Sequence, residues 1–182
     1  MLYLGFAAFA LFFLGDWNDW RLKRNWLRPC FFVGVALLVV STVGLCIGRG
    51  SALPVLFRVI FGILALIFGA LTLYAVLSVA FKTGKSTEKK VCTDGLYALC
   101  RHPGVLFFVP LYFCLWLSCG LPIYAAAIFC LLNGLLIVFE DVLVFPALLD
   151  DYDRYKLQVP FIIPSISSLK RLLRKKSKDG LS

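Results

Sequence analysis

Hydrophobic residues in this chain fall into five long blocks, at positions 2–15, 30–48, 53–81, 105–117 and 123–145, separated by short polar stretches. Blocks of this length predict helices that cross a hydrocarbon core of roughly 30 Å. At 1.5 Å per residue the first and fourth cover only about 20 Å, so they need flanking residues to cross, while the third is long enough to tilt or to project from the bilayer. The fold class that follows is all-α, a polytopic transmembrane bundle of about five spans in one membrane domain. Within it, positions 1–88 carry the N-terminal spans, 89–164 a helical hairpin with a lid, and 165–182 a basic amphipathic tail. The first block comes early and lacks a basic leader, which argues against a cleaved signal peptide.

Composition agrees with the pattern. A chain of 182 residues that is 61% hydrophobic and 16% charged carries more apolar surface than one soluble domain of that size can hide. A net charge of +9 would suggest nucleic acid in a soluble protein. Here the basic residues lie between blocks or near the end of the chain, so they report topology, and no nucleic-acid partner is expected. Arg21, Lys23, Arg24 and Arg28 occupy the first connection, Lys82, Lys85, Lys89, Lys90 and Arg101 the third, and the run from Arg154 to Lys178 the tail; the second holds only Arg49 and the fourth none. Positive charge is held back on the cytosolic face during insertion, which predicts an N-terminus outside and a cytosolic tail, in a cell membrane or endoplasmic reticulum. A four-span version with the first block in the interface keeps the same inside face. Arg58 sits near the outer end of its block, where it can snorkel to headgroups. The seven cysteines show no ligand spacing; no metal is expected, and they read as apolar helix residues.

Two polar clusters change the picture from anchor to site. In the third connection, Asp94-Gly95 signals a turn and Pro103 suits a helix start, so the fourth span begins just after Arg101-His102. Free N–H groups at a helix start, beside an arginine and the only histidine of the chain, suit a carboxylate or phosphate. Glu140 and Asp141 lie inside an otherwise apolar helix, where carboxylates are costly and usually functional. The tight connection at 118–122 makes the fourth and fifth spans a hairpin, with arms of about 15 and about 18 residues, a difference of about 5 Å; Glu140 is therefore expected near the level of His102. Asn133, two turns deeper on that face, is a candidate for a pocket floor or an interhelical hydrogen bond. Positions 150–164, with Tyr152, Tyr155, Pro160 and Pro164, predict a short interfacial helix and an extended segment folding back as a lid, or an aromatic belt at the headgroups.

The run Thr93-Asp94-Gly95-Leu96-Tyr97 to Arg101-His102-Pro103, the hydrophobic hairpin, Glu140-Asp141, and Asp151-Tyr152-Asp153-Arg154-Tyr155-Lys156 to Val159-Pro160 and Pro164 together resemble the integral membrane methyltransferases. That family includes the isoprenylcysteine carboxyl methyltransferases and the phospholipid N-methyltransferases. The resemblance covers about positions 89–164. It implies a cytosolic pocket for S-adenosylmethionine, with Tyr97, Arg101, His102, Pro103, Gly104, Val105 and Glu140 around the cofactor. It also implies a lipid or lipid-modified methyl acceptor reaching the pocket between helices, near Asn133 and Asp141. Val105 and Asp141 depart from the family pattern, and Leu136 stands where the carboxyl methyltransferases place an arginine, which leaves the acceptor open. The membrane sterol reductases, which use NADPH, share a similar tail, and a membrane protein that kept the hairpin without catalysis is the third reading.

Overall fold

A computed structural model of the protein describes residues 1–83, 91, 93 and 95–170. The turn residue Asp94, the lysines Lys85, Lys89 and Lys90, and the basic tail from 171 onward lie outside the described residues. Each apolar block forms a helix: α1 (Leu2–Trp17), α2 (Cys30–Cys46), α3 (Val55–Thr83), α4 (Pro103–Cys119) and α5 (Ile123–Phe139). Two wider π-turns follow helices of this set, Asn18–Leu22 after α1 and Glu140–Val144 after α5. The chain then makes α6 (Phe145–Leu148) and α7 (Tyr152–Gln158). Among the described residues there is no strand.

Proline and glycine set the boundaries. Pro103 opens α4, where its missing N–H is no loss. Gly120 closes α4 in the left-handed region (φ 72°), its N–H bonding back to the Trp116 carbonyl at 3.1 Å. Pro122 then precedes α5. The two short blocks gain flanking residues at their ends: α1 runs on to Trp17, and α4 extends from Pro103 to Cys119.

Three helical stretches, Asn25–Cys46, Val55–Ser78 and Ile123–Leu148, are long and apolar enough to cross a membrane. Only 17%, 11% and 22% of their most apolar windows are buried within the chain. Most of that surface therefore faces outward, and it needs lipid rather than water around it. α4 is apolar but shorter, at 17 residues.

Inside the bundle α1 packs mainly on α2 and α3 on α4, while α5 touches both α1 and α4. Lipid tails are as apolar as the side chains, so fit and hydrogen bonds rather than expulsion of water hold such helices together. The fit centres on Phe129, which is fully buried against Phe9 (5.9 Å between centroids) and edge-on to Tyr112 (5.6 Å). Gly5 makes room for it, since a Cβ there would stand 2.1 Å from the Phe129 ring. The hydroxyls of Thr42 on α2 and Tyr112 on α4 meet at 2.6 Å, and Ser41 donates to the Met1 carbonyl at 2.9 Å.

Candidate functional site

The polar residues converge where α1 and α5 end and α4 begins, and Asp141 is their centre. Its Oδ1 accepts from Arg101 Nη1 at 2.5 Å and from the Tyr152 hydroxyl at 2.6 Å, with His102 Nε2 at 3.4 Å. Its Oδ2 pairs with Lys156 Nζ at 3.2 Å, and the same ammonium donates to the Asp141 carbonyl at 3.2 Å. A buried carboxylate needs such company, because ionised groups are expensive away from water unless paired and hydrogen-bonded. The local backbone helps. In the π-turn the Phe145 N–H reaches back to the Glu140 carbonyl, and Pro146, just beyond, has no N–H to give to a regular α-turn.

His102 stands between the two acidic residues, with Nδ1 3.6 Å from Glu140 Oε2. Its ring lies nearly parallel to Phe145 at 5.8 Å and edge-on to Phe161 at 5.0 Å. Burial pushes its pKa down from 6.5 to about 4, against the pull of Asp141. The imidazole is therefore neutral near pH 7, and the positive charge of the site comes from Arg101 and Lys156. Burial, and then the bond to Asp141, raise the Tyr152 hydroxyl far above the ordinary phenol range, so it stays a donor.

The segment after α7 folds back over this cluster. The Arg101 N–H donates to the Pro160 carbonyl at 2.9 Å and the His102 N–H to the Phe161 carbonyl at 3.2 Å. The Phe161 ring also lies 5.2 Å from the Arg101 guanidinium. Tyr155 donates to the Tyr97 carbonyl at 2.7 Å, and Tyr97 donates to the Ala75 carbonyl of α3 at 3.0 Å. The cover is thus tied to both α3 and α4.

Of the residues singled out in the sequence, Arg101, His102, Glu140 and Asp141 come together. Pro103 and Val105 are buried at the start of α4, and Gly104 faces α3, where a Cβ would meet Val76 at 3.5 Å. Tyr97 serves as a tie between segments. Asn133 is half-buried on α5, two turns from Glu140. The sequence reading passed over Asp16, which ends α1 within hydrogen-bonding reach of Glu140, and it gave Lys156 no role of its own. The signal available for Asp16 was an acidic residue directly after the first apolar block, a weaker mark than that of Glu140, which lies inside its block. Beside Glu140, the Phe139 ring stacks on Trp17 (6.2 Å, 9° between planes) and meets Trp20 edge-on at 6.0 Å.

Two buried side-chain atoms among the described residues have no hydrogen-bond partner, Arg101 Nε and Asp16 Oδ2. They sit at the two ends of one chain of contacts, running from Arg101 through Asp141, His102 and Glu140 to Asp16. One end offers an N–H and the other a carboxyl oxygen. Comparison with protein-family models, curated proteins and solved structures gives no match.

The depressed pKa of His102 has a consequence for stability. As pH falls below 6.5 the unfolded chain takes up a proton that folded His102 refuses until about pH 4. Its contribution is complete above the unfolded value and is lost on acidification, by about 2 kcal/mol between about pH 7 and about pH 5. Thermal unfolding in detergent across that window should show the decline, and His102→Asn should flatten it. A profile equally steep in the variant would assign the effect to another group.

Proposed function

We propose that this cluster binds S-adenosylmethionine and that the protein transfers a methyl group to a lipid or lipid-modified acceptor. The observation that carries the reading is the pair of unpartnered buried atoms, Arg101 Nε and Asp16 Oδ2. S-adenosylmethionine carries a carboxylate, an ammonium and ribose hydroxyls along its length, and a guanidinium N–H and a carboxyl oxygen complement such groups. Arg101 would hold the carboxylate, while Asp16 and Glu140 would hold the ammonium or ribose hydroxyls. Bound there, S-adenosylmethionine supplies a methyl group made electrophilic by its sulfonium. What the chain must add is in-line approach and a dry site rather than an acid or base. Phe145 and Phe161 flank His102 and keep water from it, and the neutral imidazole repels no cationic ligand. The resemblance over positions 89–164 supports the same assignment. In this reading all five helices span, with the N-terminus outside and the cluster on the cytosolic side.

A second reading rests on a different observation. Asp141 already has Arg101, Tyr152, His102 and Lys156 around its two oxygens. Such a satisfied network also suits an internal clamp in a membrane protein without catalysis.

Calorimetry on detergent-purified protein separates them. The expected result is micromolar binding of S-adenosylmethionine and its demethylated product, weakened at least about tenfold (~1.4 kcal/mol) in Asp16→Asn, Glu140→Ala and His102→Ala. No binding by folded protein would overturn methyl transfer. An NADPH titration run alongside would then distinguish a reductase from a clamp.

A further inference from the structure

At the end of the bundle away from Asp141, α2 finishes at Cys46 and α4 at Cys119. The Thr42–Tyr112 hydrogen bond of 2.6 Å pins these two helices together. Cys46 lies one turn beyond Thr42 and Cys119 two turns beyond Tyr112, and their thiols are within hydrogen-bonding reach of each other. Both are free and only half-buried. Ser118 Oγ lies 3.4 Å from Cys119 Sγ. The two thiols line one cavity of about 420 Å³, which also carries Arg49 and Arg58 and no carboxylate. Neither cysteine belongs to the site described above.

We infer that Cys46 and Cys119 form a redox pair, closed to a disulfide by a small anionic disulfide of the glutathione class and stapling α2 to α4. Two thiols that line one cavity within reach of each other give such a bond its starting geometry, since side chains that point apart cannot be bridged without moving the backbone. The two arginines, with no carboxylate beside them in the cavity, draw in a carboxylate-bearing reagent. In the first step one protein thiolate attacks a sulfur of the reagent. The reagent's S–S bond breaks, a mixed disulfide forms and one thiolate leaves. In the second step the other protein thiolate attacks the protein sulfur of that mixed disulfide, forming the Cys46–Cys119 bond and expelling the second thiolate. The two protons given up by the cysteines are taken by the two thiolates released. The protein loses two electrons and the reagent gains them. Excess glutathione runs the sequence backwards.

The test uses full-length protein in detergent, treated with oxidised glutathione, alkylated with a maleimide and mapped by peptide mass. The expected product is a Cys46–Cys119 cross-linked peptide, with both positions protected from alkylation and restored by dithiothreitol. In Cys46→Ser and in Cys119→Ala the remaining partner should instead keep a glutathione adduct. In the double variant R49Q/R58Q closure by oxidised glutathione should slow several-fold, while closure by the cationic disulfide cystamine should not. Folding of each variant is checked by its elution as a single species. Full alkylation of both cysteines after oxidation would overturn the inference, as would stable glutathione adducts on both in the unmutated chain. Equal slowing with the two reagents would overturn the role given to the arginines.

Discussion

Asp141→Ala is expected to destabilise the protein by about 3–5 kcal/mol, the usual cost of removing one partner from a buried charge pair. The carboxylate gathers Arg101 and His102 from the start of α4 and Tyr152 and Lys156 from α7. Without it the guanidinium of Arg101, only 12% exposed, has no counter-charge at bonding distance among the described residues, and α7 loses two of its ties to the π-turn after α5. Asp141→Asn keeps the shape and one acceptor and should cost less. Thermal unfolding in detergent measures the total. Limited proteolysis after Leu149 reports whether α7 and the segment beyond it have come off the bundle. A loss below about 1 kcal/mol would mean that the stranded donors find another acceptor.

Gly120→Ala should be the second large effect, of about 3 kcal/mol. A residue with a Cβ pays about 1–2 kcal/mol in the left-handed region, and forced overlap in a packed place adds about 1–3 kcal/mol. Both apply, because φ is 72° and the new Cβ would stand 2.5 Å from the Gly50 carbonyl oxygen, a backbone atom that cannot swing aside. Gly48 is the control: its φ is 71° but nothing lies within 4 Å. Gly48→Ala should therefore show only the conformational part, about 1–2 kcal/mol. Equal losses at the two positions in thermal melts would show that the close approach to Gly50 contributes nothing.

The helices were legible because lipid imposes one simple rule on sequence, a long apolar run for each crossing; all five runs became helices, three of them within stretches long and apolar enough to cross. The hairpin arithmetic was sound for the same reason: rise per residue is fixed once a helix is granted, and Glu140 does lie level with His102, 3.6 Å away. Partner choice was less legible. Asp16 sits on α1, far along the chain from Glu140, and only the packing of α1 against α5 makes them neighbours. Asp141 was expected beside the acceptor; its place as the hub of a network with Arg101, His102, Tyr152 and Lys156 was not announced by the sequence. Adjacent residues on an α-helix point about 100° apart, and no pattern of apolar positions announces the widened turn that lets both carboxyl groups serve one cluster. The cover was half legible. Prolines at 160 and 164 marked an extended return, but pairing of its carbonyls with the Arg101 and His102 N–H groups depends on tertiary register.

The π-turns at Asn18–Leu22 and Glu140–Val144 pack against each other at the same level of the bundle. Each holds one residue more than an α-helical turn would use. Deleting a single residue from 142–144 would close the wide turn to an ordinary α-turn, with the Phe145 N–H still meeting the Glu140 carbonyl but the residues between them set at new angles around the axis. Asp141 would then be turned relative to Arg101, His102, Tyr152 and Lys156, although every side chain of the cluster was still present. The cluster should thus be more sensitive to a change of length in these ten positions than to most exchanges on the outward apolar faces, where Leu131, Leu135 and Val138 stand exposed.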